Sequence, residues 1–271
     1  TRPYTLSLHD ALPICRLVSG LIEGRTAVRH RTVKGGFRLD TYMAFALLSG
    51  LFWTATYALI IYRGFKDKAH GMPMYALALN FSWEFIYSFV TPSPGVQWYI
   101  NIAWCLFDVV IVYHFLRCWK VDYPDLKPKA FYPYAALVFV TAFLLVLFMQ
   151  LDGMNPALYD QRGHALGMGR AYSAYGMNLI MAVLYVEMIL KRKSIAGQSI
   201  YIALFKLIGT VFASLCFVIA PYPNAAHPGT PAPGELLWPL LYAAIFAFDA
   251  IYVALVYNRC KAEGVNPWKR A

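Results

Sequence analysis

The chain contains seven apolar runs separated by polar segments that hold most of its Lys and Arg residues. Each run is long enough to cross about 30 Å of hydrocarbon as a helix. A segment in lipid must satisfy its own backbone hydrogen bonds, so runs of this length indicate α-helices. The pattern predicts an all-α polytopic membrane protein, a seven-transmembrane-helix bundle. The predicted spans are residues 41–62, 73–90, 96–116, 131–151, 171–190, 200–220 and 236–257.

The composition supports a membrane protein. Hydrophobic residues make up 59% of the 271 residues and charged residues 14%, whereas a soluble domain has about 45–50% apolar and about 25% charged residues. The net charge of +10 does not indicate a nucleic-acid partner, because the basic residues lie between apolar runs, where anionic lipid attracts them. The five cysteines have no C-x-x-C spacing, so neither a disulfide framework nor a zinc site is expected.

We expect one transmembrane domain, residues 40–260, between an N-terminal arm, residues 1–39, and a tail, residues 261–271. The positive-inside rule places the tail in the cytoplasm, although the basic arm conflicts with this orientation. The arm is excluded from functional inference because residues 1–14 resemble a translated sequencing adaptor, so that part of the arm is an assembly artefact; an ordinary leader or disordered arm is the alternative. The Pro- and Gly-rich residues 221–235 indicate a connecting loop, with a lid as the alternative.

Three carboxylic acids lie inside the apolar runs. An Asp at the centre of a membrane helix costs about 2.5–3.5 kcal/mol on insertion scales, so such groups are usually functional. Each acid shares a helical face with aromatic side chains, and we expect these faces to point into the bundle. Helical rise places Asp108 and Asp249 roughly 18–20 Å, and Glu84 roughly 9 Å, from the outer ends of their spans. The three stripes are Asn80, Trp83, Glu84 and Tyr87; Asn101, Trp104 and Asp108; and Tyr242, Asp249 and Tyr252.

Buried acids walled by aromatic rings favour one kind of chemistry. Burial disfavours the ionised form of a carboxyl group, so the group keeps its proton and can donate it to a weakly basic substrate. Protonation of an epoxide or an alkene creates a carbocation, which the faces of Trp, Tyr and Phe stabilise. These are the requirements of protonation-initiated cyclisation of a prenyl chain. The Asp-rich magnesium motif of a phosphate-ionising terpene synthase is missing, since Asp122 and Asp125 are an isolated pair in a loop.

The motif Asn80-x-x-Trp83-Glu84 on the second span and Asp249 followed by Tyr252 on the seventh resemble one known family over about residues 40–260. It is the family of pyripyropene- and paxilline-type integral membrane terpene cyclases of meroterpenoid and indole-diterpene pathways, with their bacterial relatives. The resemblance implies that Glu84 and Asp249 are the acid pair that protonates the epoxide of a prenylated substrate. It also implies a terpene cyclase of the lyase or isomerase type.

The candidate catalytic residues are therefore Glu84 and Asp249, with Asp108 as an auxiliary acid or base. The expected partners are a hydrophobic prenylated small molecule and the lipid bilayer, and we expect no cofactor and no metal ion. The candidate substrate-binding residues are Asn80, Trp83, Tyr87, Asn101, Trp104, Tyr242, Phe248 and Tyr252.

Alternatives stay open for the function and for two of the acids. Buried carboxylates also act as proton relays, so a proton-coupled small-molecule transporter or membrane sensor is the second hypothesis. The paired Gly or Pro interruptions typical of transporters are not seen. An ion pair with Lys206 is the structural alternative for Asp249, and a packing hydrogen bond to a neighbouring helix is the alternative for Glu84.

Overall fold

Seven α-helices follow one another along the part of the chain that the computed structural model describes, which is residues 32–92, 96–153, 168–219 and 237–271. No strand occurs in these ranges, so the prediction of an all-α bundle is confirmed. Every helix except the second is long and apolar enough to cross a membrane. The helices are α1 Thr32–Asp67, α2 Met74–Phe85, α3 Val96–Cys118, α4 Pro128–Gly153, α5 Met168–Arg192, α6 Ile200–Ile219 and α7 Leu237–Ala262.

The predicted arm and lid fall partly or wholly outside the described residues. The arm is described only from Thr32, where α1 begins, and the lid hypothesis for residues 221–235 lies outside the described ranges. The chain from Phe45 to Ala271 forms one unit, while the part of α1 before it belongs to a separate N-terminal unit. At the other end, the tail contains a short 3-10 turn, Pro267–Lys269.

The second helix, α2, lies at the centre of the bundle and is the shortest of the described α-helices. It has 12 residues, nine of them buried, and packs against α3, α4 and α5. A π-helical turn, Ile86–Val90, continues it, with the backbone N–H of Thr91 donating to the Ile86 carbonyl at 2.8 Å. Because three helices surround α2, polar side chains on several of its faces point into protein rather than into lipid.

A glycine lets α1 approach α6 closely. The Ser49 hydroxyl donates to the Gly209 carbonyl at 2.8 Å. A Cβ atom at Gly209 would lie 2.8 Å from the Trp53 ring, so a larger residue would push the two helices apart. The contact places Trp53 over the ammonium group of Lys206, 5.8 Å from the ring centroid.

Asp67, the last residue of α1, connects several segments at one end of the bundle. The helices α1, α5 and α7 terminate at this end, which we call the charged end. Its carboxylate forms ion pairs with Arg63 and with Arg270 of the tail. It also accepts a hydrogen bond from the backbone N–H of Gly197 at 2.8 Å. One carboxylate therefore holds α1, the tail and the loop between α5 and α6.

A second, partly buried ion pair at the charged end joins Asp122, after α3, to Arg192, at the end of α5. The same guanidinium donates to the His70 carbonyl at 2.8 Å. Burial alone would raise the pKa of the Asp122 carboxyl, but hydrogen bonds from Arg192 and His70 outweigh burial and hold that pKa below its ordinary value. The pair therefore contributes stability at neutral pH that is lost as the pH falls through the folded-state pKa.

A glycine substitution tests the packing of the charged end. Gly197 has a φ of +76°, and a Cβ there would lie 2.8 Å from the His70 carbonyl oxygen. Gly197→Ala should lower the free energy of unfolding by about 2–4 kcal/mol, because it adds a left-handed backbone cost to overpacking against a backbone atom. The measurement is the thermal unfolding midpoint of the protein in detergent.

The matched control is Gly264→Ala. Gly264 has a φ of +68°, but no described atom lies within 4 Å of its added Cβ. Only the backbone cost, about 1 kcal/mol, is therefore expected. Equal decreases in the thermal unfolding midpoint for Gly197→Ala and Gly264→Ala would contradict the close contact between Gly197 and His70.

Candidate active site

All three acids of the apolar runs are buried. The exposed fraction is 2% for Glu84 on α2 and 0% for Asp108 on α3 and Asp249 on α7. An isolated buried charge is costly, so each carboxyl group needs a cationic partner, hydrogen bonds or its proton. The structure gives the three acids different surroundings.

Asn80 connects α2 to its neighbours at the first two acids. Its side-chain Nδ2 donates to Asp108 Oδ2 at 2.7 Å and to the Tyr57 hydroxyl of α1 at 2.6 Å. Glu84, one turn further along α2, is close enough to Asp108 and to Tyr57 to interact with both electrostatically. We call Tyr57, Asn80, Glu84 and Asp108 the acid cluster.

The two carboxyl groups of the acid cluster have no basic side chain beside them among the described residues. No Lys or Arg of the described chain interacts electrostatically with the carboxyl group of Glu84 or Asp108. Glu84 Oε2 and Asp108 Oδ1 also have no hydrogen-bond partner among the described residues. Two neighbouring carboxyl groups in a dry site cannot both ionise cheaply, so the arrangement favours retention of a proton.

Asp249 is instead paired with Lys206 of α6. Lys206 Nζ lies 2.6 Å from Asp249 Oδ1, with the two side chains 1% and 0% exposed. Lys206 also donates to Asn178 Oδ1 at 3.4 Å and lies 5.9 Å from the Tyr185 ring centroid. This ion pair is the structural alternative that we considered for Asp249. The second carboxylate oxygen, Oδ2, has no partner within the described ranges.

Tyr185 of α5 is close to both acid sites. It is 1% exposed and interacts electrostatically with Asp108 and with Asp249. The acid that interacts with Glu84 is Asp108, whereas the expected acid pair was Glu84 and Asp249. Tyr57 and Tyr185 were not identified from the sequence, because neither lies on the same helix as one of the three acids.

The predicted substrate-binding residues divide into three groups. Trp104 belongs to the first, since its ring centroid lies 5.9 Å from that of the acid-cluster tyrosine. In the second, the Tyr87 hydroxyl donates to Gln150 of α4 at 2.7 Å. The members of the third all lie on α7, where Tyr252 donates to Gln198, whereas Tyr242 and Phe248 pack in a second apolar cluster apart from Tyr252. The groups are Asn80 and Trp104; Trp83, Tyr87 and Asn101; and Tyr242, Phe248 and Tyr252.

A groove of about 300 Å³ lies between α6 and α7, and Asp249 contributes to its wall. Glu84 and Asp108 are not among its lining residues. We call it the α6–α7 groove. Its lining residues are Leu207, Thr210, Val211, Ser214, Leu215, Val218, Tyr242, Ala243, Phe246 and Asp249.

The described residues do not form a cluster of metal-binding side chains. No group of three or more His, Cys, Asp or Glu that could hold a metal ion occurs in the described ranges. The groups that the structure brings together are carboxyl groups, amides, a lysine and aromatic rings. Their shared chemistry is proton transfer and the stabilisation of positive charge.

Comparison with known proteins gives the same family as the sequence motifs. The chain is 30% identical over 217 residues to the Pyr4-family terpene cyclase mfmH of Annulohypoxylon moriforme, which covers 73% of this chain and 84% of that protein. It is 27% identical over 226 residues to asnovolin H synthase nvfL of Aspergillus novofumigatus, with 81% and 86% covered.

A third relative, the terpene cyclase macJ of Penicillium terrestre, is 27% identical over 174 residues, which is 64% of this chain and 65% of that protein. No solved structure matches the chain. Residues 39–262 match the family of Pyr4-like transmembrane terpene cyclases, which confirms the resemblance. The chain therefore belongs to the Pyr4-like transmembrane terpene cyclase family.

Proposed function

We propose that this terpene cyclase starts the cyclisation of a prenyl chain by protonating it from the acid cluster. The observation that carries the proposal is the electrostatic interaction of Glu84 with Asp108 in a buried site where no described basic side chain neutralises them. A proton held there can pass to a substrate that enters the site. Membership of the family supports a hydrophobic prenyl substrate and a membrane setting.

Glu84 is the proposed proton donor. Its O–H bond breaks as the proton passes to an epoxide oxygen, with cleavage of a C–O bond, or to a terminal alkene carbon. Either event leaves a carbocation, which the π electrons of the next alkene attack to form a ring bond. Asp108 and Asn80, joined at 2.7 Å, orient the acid cluster. This step needs neither a metal ion nor a cofactor.

Aromatic rings around the acid cluster are the proposed stabilisers of the cation. Trp104 and Phe107 lie 5.9 and 6.2 Å from the Tyr57 ring, measured between centroids. Ring faces attract a cation electrostatically without forming a bond to it. An aromatic wall therefore lets ring closure proceed until a base removes the final proton.

Asp249 is the proposed acceptor of that final proton. Its partner Lys206 supplies a positive charge at 2.6 Å, which favours the carboxylate form. The C–H bond next to the last cation breaks, its electrons form the product alkene, and Asp249 takes the proton. Tyr185, close to both Asp108 and Asp249, adjoins the route by which a proton returns to the acid cluster.

Replacing the donor tests the proposal. Glu84→Gln keeps the shape of the side chain and removes the acid, so it should reduce cyclisation at least about 10²–10⁴-fold, the usual contribution of a general acid. The measurement is formation of cyclic product from an epoxidised farnesyl phenol by detergent-solubilised protein. An unchanged elution profile in size-exclusion chromatography would show that the variant is folded.

Glu187→Gln is the matched control. Glu187, on α5, is 46% exposed and pairs with Lys191 at 2.6 Å, outside the proposed site. Its replacement should leave cyclisation near the wild-type rate. Wild-type product formation by Glu84→Gln would reject Glu84 as the donor.

The Lys206–Asp249 ion pair has a separate test in stability. Lys206→Met leaves the Asp249 carboxylate buried without its cation, which should lower the free energy of unfolding by about 3–5 kcal/mol. The double variant Lys206→Met/Asp249→Leu removes both charges and should recover most of that loss. Denaturant unfolding in detergent measures both effects. A single variant as stable as the wild type would show that the pair is not formed.

We also propose that the C-terminal tail lies in the cytoplasm, since the charged end carries Arg63, Arg192 and Arg270 and the positive-inside rule places such residues there. A green fluorescent protein joined to the C-terminus and expressed in bacteria should therefore fluoresce. Alkaline phosphatase joined after Pro92, on the opposite side, should be active. The reverse pattern would invert the orientation.

A further inference from the structure

The α6–α7 groove differs from an ordinary packing defect because it is apolar and carries one unsatisfied carboxylate oxygen. Most of its wall is aliphatic or aromatic. The Thr210 hydroxyl accepts from Asn178 at 3.2 Å, and the Ser214 hydroxyl donates to the Thr210 carbonyl at 2.9 Å. By contrast, Asp249 Oδ2 is buried and has no hydrogen-bond partner in the described chain. A ligand in the groove would therefore lie beside a carboxylate that has an unused hydrogen-bonding position.

The groove opens on the outer surface of the bundle. Val218 of α6 is 61% exposed and Phe246 of α7 is 54% exposed, and both line the groove. The two helices are long and apolar enough to span a membrane, so this exposed surface faces hydrocarbon. A molecule dissolved in the bilayer can therefore reach Asp249 without crossing an aqueous phase.

We propose that the α6–α7 groove is a binding site for the isoprenoid chain of the substrate, which enters it sideways from the bilayer and comes to lie against Asp249. The proposal rests on the proposed cyclase function and adds the place where the chain binds. The groove volume of about 300 Å³ is at the lower end of the range for small-molecule sites, about 300–1,000 Å³. The groove can therefore hold a segment of the isoprenoid chain, while the rest of the isoprenoid chain lies in lipid or deeper in the bundle.

The polar atom of the groove also fits this occupant better than a lipid tail. A saturated acyl chain has nothing to offer a carboxylate oxygen, so its binding would leave Asp249 Oδ2 unsatisfied. An isoprenoid chain carries positive charge during cyclisation, and a carboxylate attracts that charge. Lys206 acts as a positioning residue here, because its contact with Oδ1 at 2.6 Å leaves Oδ2 for the ligand.

The test is photolabelling that needs no turnover. The reconstituted full chain in phosphatidylcholine vesicles is illuminated with a farnesol that carries a diazirine, and the labelled peptides are identified by mass spectrometry. Wild-type protein should be labelled on α6 and α7 at residues that line the groove, and excess unlabelled farnesol should suppress this labelling. Leu215→Trp fills the groove and should reduce the labelling at least about tenfold.

Leu137→Trp is the matched control, because Leu137 is 64% exposed on α4, outside the groove. It should leave labelling unchanged. A milder pair guards against misfolding of the large substitution: Ala243→Leu fills the groove from α7, whereas Ala254→Leu on the same helix does not line it. Labelling that Leu215→Trp and Ala243→Leu leave intact, or that spreads over all lipid-facing helices without competition, would overturn the proposal.

The result separates the binding site from the reaction. A wild-type protein that is labelled in the groove but forms no cyclic product would retain the site and contradict the cyclase chemistry. A protein that forms product while its groove stays unlabelled would retain the chemistry and contradict this site. Glu84→Gln should still be labelled, because its change lies outside the groove.

Discussion

The cost of keeping carboxyl groups away from water governs the interior of this bundle. A buried charge is tolerated when a cation or several hydrogen bonds offset its lost hydration, and otherwise the group stays neutral. Asp249 meets this cost through Lys206 at 2.6 Å. Among the described residues, Glu84 and Asp108 have uncharged neighbours instead of a cation, namely Asn80, Tyr57 and Tyr185. The same constraint therefore gives the acids of a single protein two different surroundings, one with a buried cation and one without, and the proposed roles of acceptor and donor rest on this difference.

Packing of the helices decides which acid has which partner. The glycine contact between α1 and α6 brings Trp53 over Lys206, and Tyr57, one turn further along α1, reaches Asn80 on α2. One helix therefore contacts both acid sites. Changes that shift α1 are expected to alter the ion pair and the acid cluster together.

The helices and their inward faces could be predicted from the sequence, because hydrocarbon imposes length and periodicity on each segment separately. The stripe of Asn80 and Glu84 and the burial of Asp108 followed from spacing alone. The partners of these acids could not be predicted from spacing. Whether Asp108 or Asp249 is the neighbour of Glu84 depends on the arrangement of the helices around α2. The helical rise predicted the same depth in the membrane for Asp108 and Asp249. Depth alone does not say which way a side chain points around its helix. Tyr57 and Tyr185 lie on α1 and α5, which carry none of the three acids, so spacing along the chain did not connect them to the site.

The short central helix has a consequence for the membranes in which such a protein can work. The α-helical part of α2 has 12 residues, about 18 Å, and the π-helical turn continues it to Val90, while α3, α4 and α5 pack against it. Hydrophobic mismatch acts on helices in contact with lipid, which tilt or deform the bilayer in response. Glu84 is 2% exposed and packs inside the bundle, whereas the contact of α2 with lipid is limited to side chains such as Tyr75 and Phe85. Thicker or sterol-rich membranes would therefore tilt the helices with larger lipid-facing surfaces before they displaced Glu84, the proposed proton donor.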